Sequence, residues 1–192
     1  MEATEKPNIL IRRFAHPWMP SLLYFPLSFL LIYLSSRYQQ RTFINTLFFV
    51  ILGIFSWSLV EYVLHRFIFH WTQVREPWKS LASGLHMAHH RSTDEEDLIL
   101  APPFVSMLFG GLIYLLFALF SLSWNTAALL EAGLLIGYVF YEWVHFGAHR
   151  FKMSSPLGKY LKQYHLRHHF KNPRTAYGVT SPLWDFIFKT IR

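Results

Sequence analysis

Two windows of this chain carry nearly all of its histidine, and both repeat one arrangement. The first reads His65-x4-His70, fifteen residues, then His86-x2-His89-His90; the second reads His145-x3-His149, fifteen residues, then His165-x2-His168-His169. Ten of the eleven histidines lie there, while His16, beside Pro17, stands apart and reads as an interfacial residue. Neutral imidazole is the commonest side-chain ligand for iron, zinc and copper, and a cluster of it in place of thiolate or carboxylate points to a borderline transition metal. The chemistry these residues can do is metal chemistry.

On helices, His145 and His149 share a face, and His86, His89 and His90 project together, as do His165, His168 and His169. His65 and His70 are five apart, about 140° around a regular helix, which suits two ions better than one. Ten imidazoles exceed what one ion accepts, so the expectation is two metals sharing them equally. Glu61 lies one turn before His65, and Glu142 three residues before His145. A carboxylate at either place can accept the second ring N–H of a ligand histidine, fixing its tautomer and raising its basicity.

Imidazole-only ligation leaves iron, zinc and copper open. The absence of cysteine excludes disulfides, thiolate zinc sites and cysteine-ligated iron–sulfur or haem centres. A zinc hydrolase needs one ion with an open position and a carboxylate base, not ten histidines. A metal transporter would hold its ligands at mid-membrane. Iron with oxygen can break an unactivated C–H bond, the reaction that an acyl chain in a bilayer invites.

The elements that must position these residues are apolar. With 53% hydrophobic and 19% aromatic residues in 192, the chain is too apolar for an ordinary soluble domain. Phe104 to Leu122 is uncharged, long enough at about 1.5 Å per residue to cross the roughly 30 Å hydrocarbon core. Four helical spans are expected over about 22–36, 43–64, 104–122 and 126–144, the last holding Glu131 inside the bilayer. The third restarts at Pro102 and Pro103, where a first helical turn tolerates proline. Residues 65–103 and 145–192 then form a cytosolic helical cap with a solvated acidic run at Asp94 to Asp97, and Trp71, Pro77 and Trp78 at headgroup level. The fold class is therefore all-α and integral to the membrane: one domain over 1–192, four transmembrane helices topped by a cap that holds a dimetal histidine cluster.

The formal charge of +7 comes from basic residues beside apolar spans, which indicates a membrane surface rather than nucleic acid. Residues 1–20 lack a secretory cleavage site and read as a retained leader. With both termini cytoplasmic, 16 of the 18 lysines and arginines lie on that side and only Arg37 and Arg41 opposite. Both histidine windows then fall on the cytoplasmic face of a plasma (bacterial inner) membrane or the endoplasmic reticulum.

The pattern H-x4-H, H-x2-H-H, H-x3-H, H-x2-H-H resembles that of the fatty acid hydroxylase superfamily of integral-membrane di-iron enzymes, with every ligand position matched from about Phe55 to Lys189. The segments E-Y-V-L-H-R-F-I-F-H, Leu100–Ala101–Pro102–Pro103, H-H-F-K-N-P and S-P-L-W-D-F-I-F-K-T are most similar to the fatty acid 2-hydroxylases within it. The resemblance implies two iron ions on the ten clustered histidines, with zinc substituting on overexpression, and O2 as co-substrate. It implies hydroxylation at C2 of an acyl chain, free or amide-linked in a sphingolipid; sterol or carotenoid oxidation is the alternative within the superfamily. Spans and motifs leave no room for a fused haem domain, so electrons are expected from a separate b-type cytochrome or ferredoxin-like protein with its reductase.

Overall fold

The computed structural model describes residues 16–70, 85–121 and 123–191. The leader residues 1–15, and Trp71, Pro77 and Trp78, lie outside them. Among the described residues every regular element is helical: α1 (Met19–Gln39), α2 (Phe43–Leu64) running into a π-helical turn (His65–Phe69), α3 (Leu85–Arg91), a 3-10 turn (Glu96–Leu98), α4 (Pro103–Ser121), α5 (Trp124–Arg150), α6 (Pro156–Phe170) and α7 (Leu183–Ile187).

Four helices are long and apolar enough to cross a membrane, and they include the four stretches expected from the sequence. Helices α1 and α5 run past their expected stretches at both ends, and α5 carries straight on through His145 and His149 to Arg150. Helix starts follow local chemistry. The side chains of Thr42, Ser123 and Ser155 accept from the backbone N–H groups of Asn45, Thr126 and Gly158, satisfying donors that have no partner inside the helix. Pro102 offers its carbonyl to Val105 and Ser106, and Pro103 is the first residue of α4.

The four long helices have different surroundings. In α5, 72% of the apolar window is buried, against 22%, 28% and 11% in the spans containing α1, α2 and α4. Helix α5 is thus the central post, packed against α1, α2, α4 and α6, and the outer three turn leucine and phenylalanine to lipid. The contact with α2 is made by glycine. A Cβ on Gly133 would sit 2.0 Å from the Val50 carbonyl oxygen, one on Gly53 2.1 Å from that of Leu130, and one on Gly137 2.7 Å from Trp57 Cβ. Lipid tails are as apolar as leucine, so helices in a bilayer associate through such close backbone approach. The consequence is functional, since α2 ends in His65 and α5 ends in His145 and His149.

Helix α6 packs on α5, and α7 on α2. The acidic run is a turn followed by the 3-10 helix, with Glu96 paired to Arg150 at 2.5 Å and Asp97 facing a cavity. Replacement of Gly133 by isoleucine must push α2 away from α5, at a cost of at least about 1–3 kcal/mol. We expect lower thermal stability in detergent and loss of bound metal together; a G133I protein with wild-type melting and metal content would show that the close contact is dispensable.

Candidate metal centre

At the end of the bundle where α2 and α5 finish, the ten clustered histidines meet in two groups of five. His65, His70, His86, His90 and His168 form one, and His89, His145, His149, His165 and His169 the other; within each, one nitrogen per ring lies within 4.8 Å of all the others. His16 belongs to neither, and its Nδ1 accepts from the Trp18 backbone N–H.

The division differs from the expectation in two respects, each with a geometric cause. His65 and His70 fall in the same group, because the chain leaves α2 as a π-helix in which the His70 N–H bonds to the His65 carbonyl at 3.2 Å. An i→i+5 turn stacks the fifth residue back over the first, which an α-helix cannot do. The triplets, in contrast, do not stay together. Adjacent residues on an α-helix diverge by about 100°, so His86 and His90 stay with their own window while His89 joins the other group. His165 and His169 likewise remain with α5, and His168 crosses over. Each window supplies four rings to one group and lends one to the other, and the His90 and His169 rings stack face to face between them at 3.9 Å.

The nitrogen spacing fits an ion. His70 Nε2 lies 3.0 Å from His86 Nε2 and 2.9 Å from His168 Nε2, and His86 Nε2 is 3.0 Å from that of His90. In the other group His145 and His89 approach to 3.1 Å and His149 and His165 to 2.9 Å. Two nitrogens each about 2.1 Å from one metal, at roughly a right angle, are about 3 Å apart. Buried His65 Nε2 and both ring nitrogens of His169 have no hydrogen-bond partner, an arrangement that is costly unless a cation takes the lone pairs. Burial holds the rings neutral, and the neighbouring imidazoles add to it at four of them: His70 and His89 are lowered to about 3, and His86 and His165 lie well below the usual histidine value. Burial lowers His168 to about 4 against the raising effects of its bond to the Thr175 carbonyl and of Asp185. Neutral rings keep their lone pairs available.

Orientation in the first group comes from a loop that the sequence did not single out. His65 Nδ1 bonds to the Tyr177 carbonyl at 2.5 Å, and His168 Nδ1 to that of Thr175 at 2.7 Å. Two buried carboxylates hold the loop. Asp185 accepts from the N–H groups of Tyr177 and Gly178 and from the Thr190 hydroxyl. Glu61 accepts from Val179 N–H, and from the N–H and hydroxyl of Thr180. Glu61 therefore does not accept a histidine N–H, contrary to the expectation, but acts one step away through the loop. Glu142 differs too: its Oε1 accepts from the Tyr138 hydroxyl at 2.5 Å and Ala101 N–H at 3.3 Å, and its Oε2 is buried without a partner. Asp185 lies in the S-P-L-W-D-F-I-F-K-T segment, Ser181 to Thr190, whose pattern assigned it no role.

Two cavities adjoin here, and the first of them reaches the histidines. One is lined by His86, His89, Glu142 and His145, the other by apolar residues of α2, α4 and α5 such as Trp57, Phe109, Ile113 and Leu134, and Phe69, Ala101, Val105 and Tyr141 line both.

Comparison with known proteins shows the family. Residues 50–190 match the family described as fatty acid hydroxylase. The chain is 33% identical to a dihydroceramide fatty acyl 2-hydroxylase of Arabidopsis thaliana over 91% of its own length and 70% of that protein's. It is 35% identical to a ceramide very long chain fatty acid hydroxylase of Saccharomyces cerevisiae, over 90% of this chain and 43% of the relative. The solved structure of full-length Scs7p, of which only the hydroxylase domain is visible, superposes with a TM-score of 0.84 at 30% identity, covering 95% of this chain and 69% of that one. This chain belongs to the fatty acid hydroxylase family. It is a membrane-integral hydroxylase, and it spans between 43% and 70% of the length of these relatives.

Two outcomes follow. Replacing Asp185 with asparagine removes a carboxylate oxygen from the loop behind His65 and His168, and should weaken metal binding by about ten- to a hundredfold, read by equilibrium dialysis. The pH dependence has a definite sign. Unfolded histidines titrate near 6.5, whereas in the fold burial lowers His70 and His89 to about 3 and His168 to about 4, so the unfolded state binds more protons in between, and stability must fall as pH drops below 6.5. Metal-stripped protein should melt at a steadily lower temperature from pH 7.5 to 5; a flat profile would mean that the rings are charged in the fold.

Proposed function

We propose that this chain inserts an oxygen atom from O2 at C2 of a lipid acyl chain, at a centre of two iron ions held five-to-five by His65, His70, His86, His90 and His168 and by His89, His145, His149, His165 and His169. The observation that carries this reading is the two groups of convergent imidazole nitrogens beside an apolar cavity. Iron, when bound, supplies activation of O2 for attack on an unactivated C–H bond. One O2, two electrons and two protons convert that bond to C–OH and release water.

The protein's part is placement. Helix α5 sets His145 and His149 four residues apart on one face, and the loop carbonyls of Thr175 and Tyr177 fix the ring orientation of His168 and His65. The cavity between α2, α4 and α5 suits the apolar tail, with Trp57 and Tyr138 among its walls, and its neighbour brings the carbons nearest the carboxyl or amide end to the histidines. Burial of these walls keeps bulk water from the reacting carbon. The names of the relatives, which include dihydroceramide and ceramide hydroxylases, support an amide-linked acyl chain as substrate.

The chain is read as one catalytic unit with both termini and the histidines cytoplasmic, supported by the charge bias across the spans. Electrons are supplied by a separate small carrier, a b-type cytochrome or ferredoxin-like protein, docking on the basic surface that includes exposed Lys152, Lys159 and Arg167. Iron-loaded protein given a reductant and dihydroceramide under isotopically labelled O2 should yield a 2-hydroxyacyl product carrying the label, with two irons per chain by elemental analysis. One ion per chain in an ordered, active sample would overturn the dimetal centre, and unlabelled product would overturn the O2 chemistry.

A further inference from the structure

Of the two carboxylates named for the histidine windows, Glu61 has both oxygens engaged, whereas Glu142 has one to spare. Glu142 is 1% exposed and lines the cavity beside His89 and His145. Its Oε1 is fixed by the Tyr138 hydroxyl and Ala101 N–H, which leaves Oε2 as an acceptor for whatever occupies that cavity. A buried carboxylate oxygen without a donor is costly, so the occupant that completes the site is one carrying an N–H or O–H.

Position narrows the choice. Glu142 and His145 are three residues apart on one helix, about 4.5 Å along its axis, so a donor that meets Oε2 lies within two or three bonds of a carbon presented to the histidines. In an N-acylated lipid the amide nitrogen is two bonds from C2, while the hydroxyls of the long-chain base are farther away. A free fatty acid, ionised, and an ester offer no donor there.

We propose that Glu142 accepts the amide N–H of an N-acylated lipid, and so selects amide-linked over free or ester-linked acyl chains while positioning C2. The inference rests on the acyl-lipid reading above. Glu142→Gln tests its sign. Ala101 N–H and the Tyr138 hydroxyl both donate to one oxygen, so the glutamine must keep its carbonyl there and turn its NH2 into the cavity, replacing an acceptor with a donor.

The full chain, loaded with zinc to prevent turnover and reconstituted in nanodiscs, would be titrated with a dihydroceramide and with its isostere in which ester oxygen replaces the amide N–H, both displacing a fluorescent acyl lipid. Wild-type protein should bind the amide at least about tenfold tighter, since a site built around a donor rejects the analogue that lacks it. E142Q should lose or reverse this preference with unchanged metal content. Equal binding of amide and ester by wild-type protein sinks the proposal even if the variant does not fold, and so does a variant that keeps the wild-type preference. Displacement by neither lipid, with no hydroxylated product when iron-loaded protein is given any acyl chain, would remove the acyl-lipid reading itself, whereas displacement by both alike removes only the role of Glu142.

Discussion

Five imidazole lone pairs must converge with about 3 Å between neighbouring nitrogens, and no single helix can meet that requirement. A helix shows one face at i and i+4, which gives two rings, and the residue at i+3 leans away. The chain meets the constraint twice by exchange: His89 leaves its window for the group built on α5, and His168 leaves α6 for the group built on α2. Neither window is complete alone. Docking of the two halves is therefore a condition for either group, and the glycine contact between α2 and α5 sets how the two helices meet.

The same constraint explains the unusual local structure. A π-turn at His65–Phe69 leaves α2 with one extra residue per hydrogen-bonded ring. Without it His65 and His70 would diverge. Backbone carbonyls, rather than carboxylates, receive the Nδ1 atoms of His65 and His168, and the charged groups Asp185 and Glu61 stand one layer behind, saturated by backbone N–H and hydroxyl donors. A buried carboxylate is tolerable when its oxygens are fully hydrogen-bonded.

Much of this was legible from residue type and spacing. Long apolar runs marked four spans, Pro102 and Pro103 marked the start of the third, and the doubled histidine pattern marked ten residues that do converge. What was not legible depends on departures from regular geometry or on distant contacts. The π-turn has no signature in H-x4-H, so His65 and His70 looked like ligands of different ions. The exchange of His89 and His168 depends on where two windows dock, which no local period encodes. Glu61 was singled out as an acceptor for His65, but its partners Val179 and Thr180 are more than a hundred residues away, and only the folded loop reveals them.

The two groups are alike in ligands but not in surroundings, and this gives the centre a direction. The loop 175–180, held by Asp185 and Glu61, closes over the group that contains His65 and His168. Towards the other group, His89 and His145 face a cavity together with Glu142, and that cavity adjoins the apolar space between α2, α4 and α5. The Nδ1 atoms of His89, His145 and His165 are buried with no partner among the described residues. The His65 and His168 side of the centre is thus fastened by main chain, whereas His89 and His145, with His86 of the first group, border open space. On the reading proposed above, a substrate whose tail stays in the apolar space approaches along this cavity, and the carbon it offers depends on how far its polar end extends past Glu142.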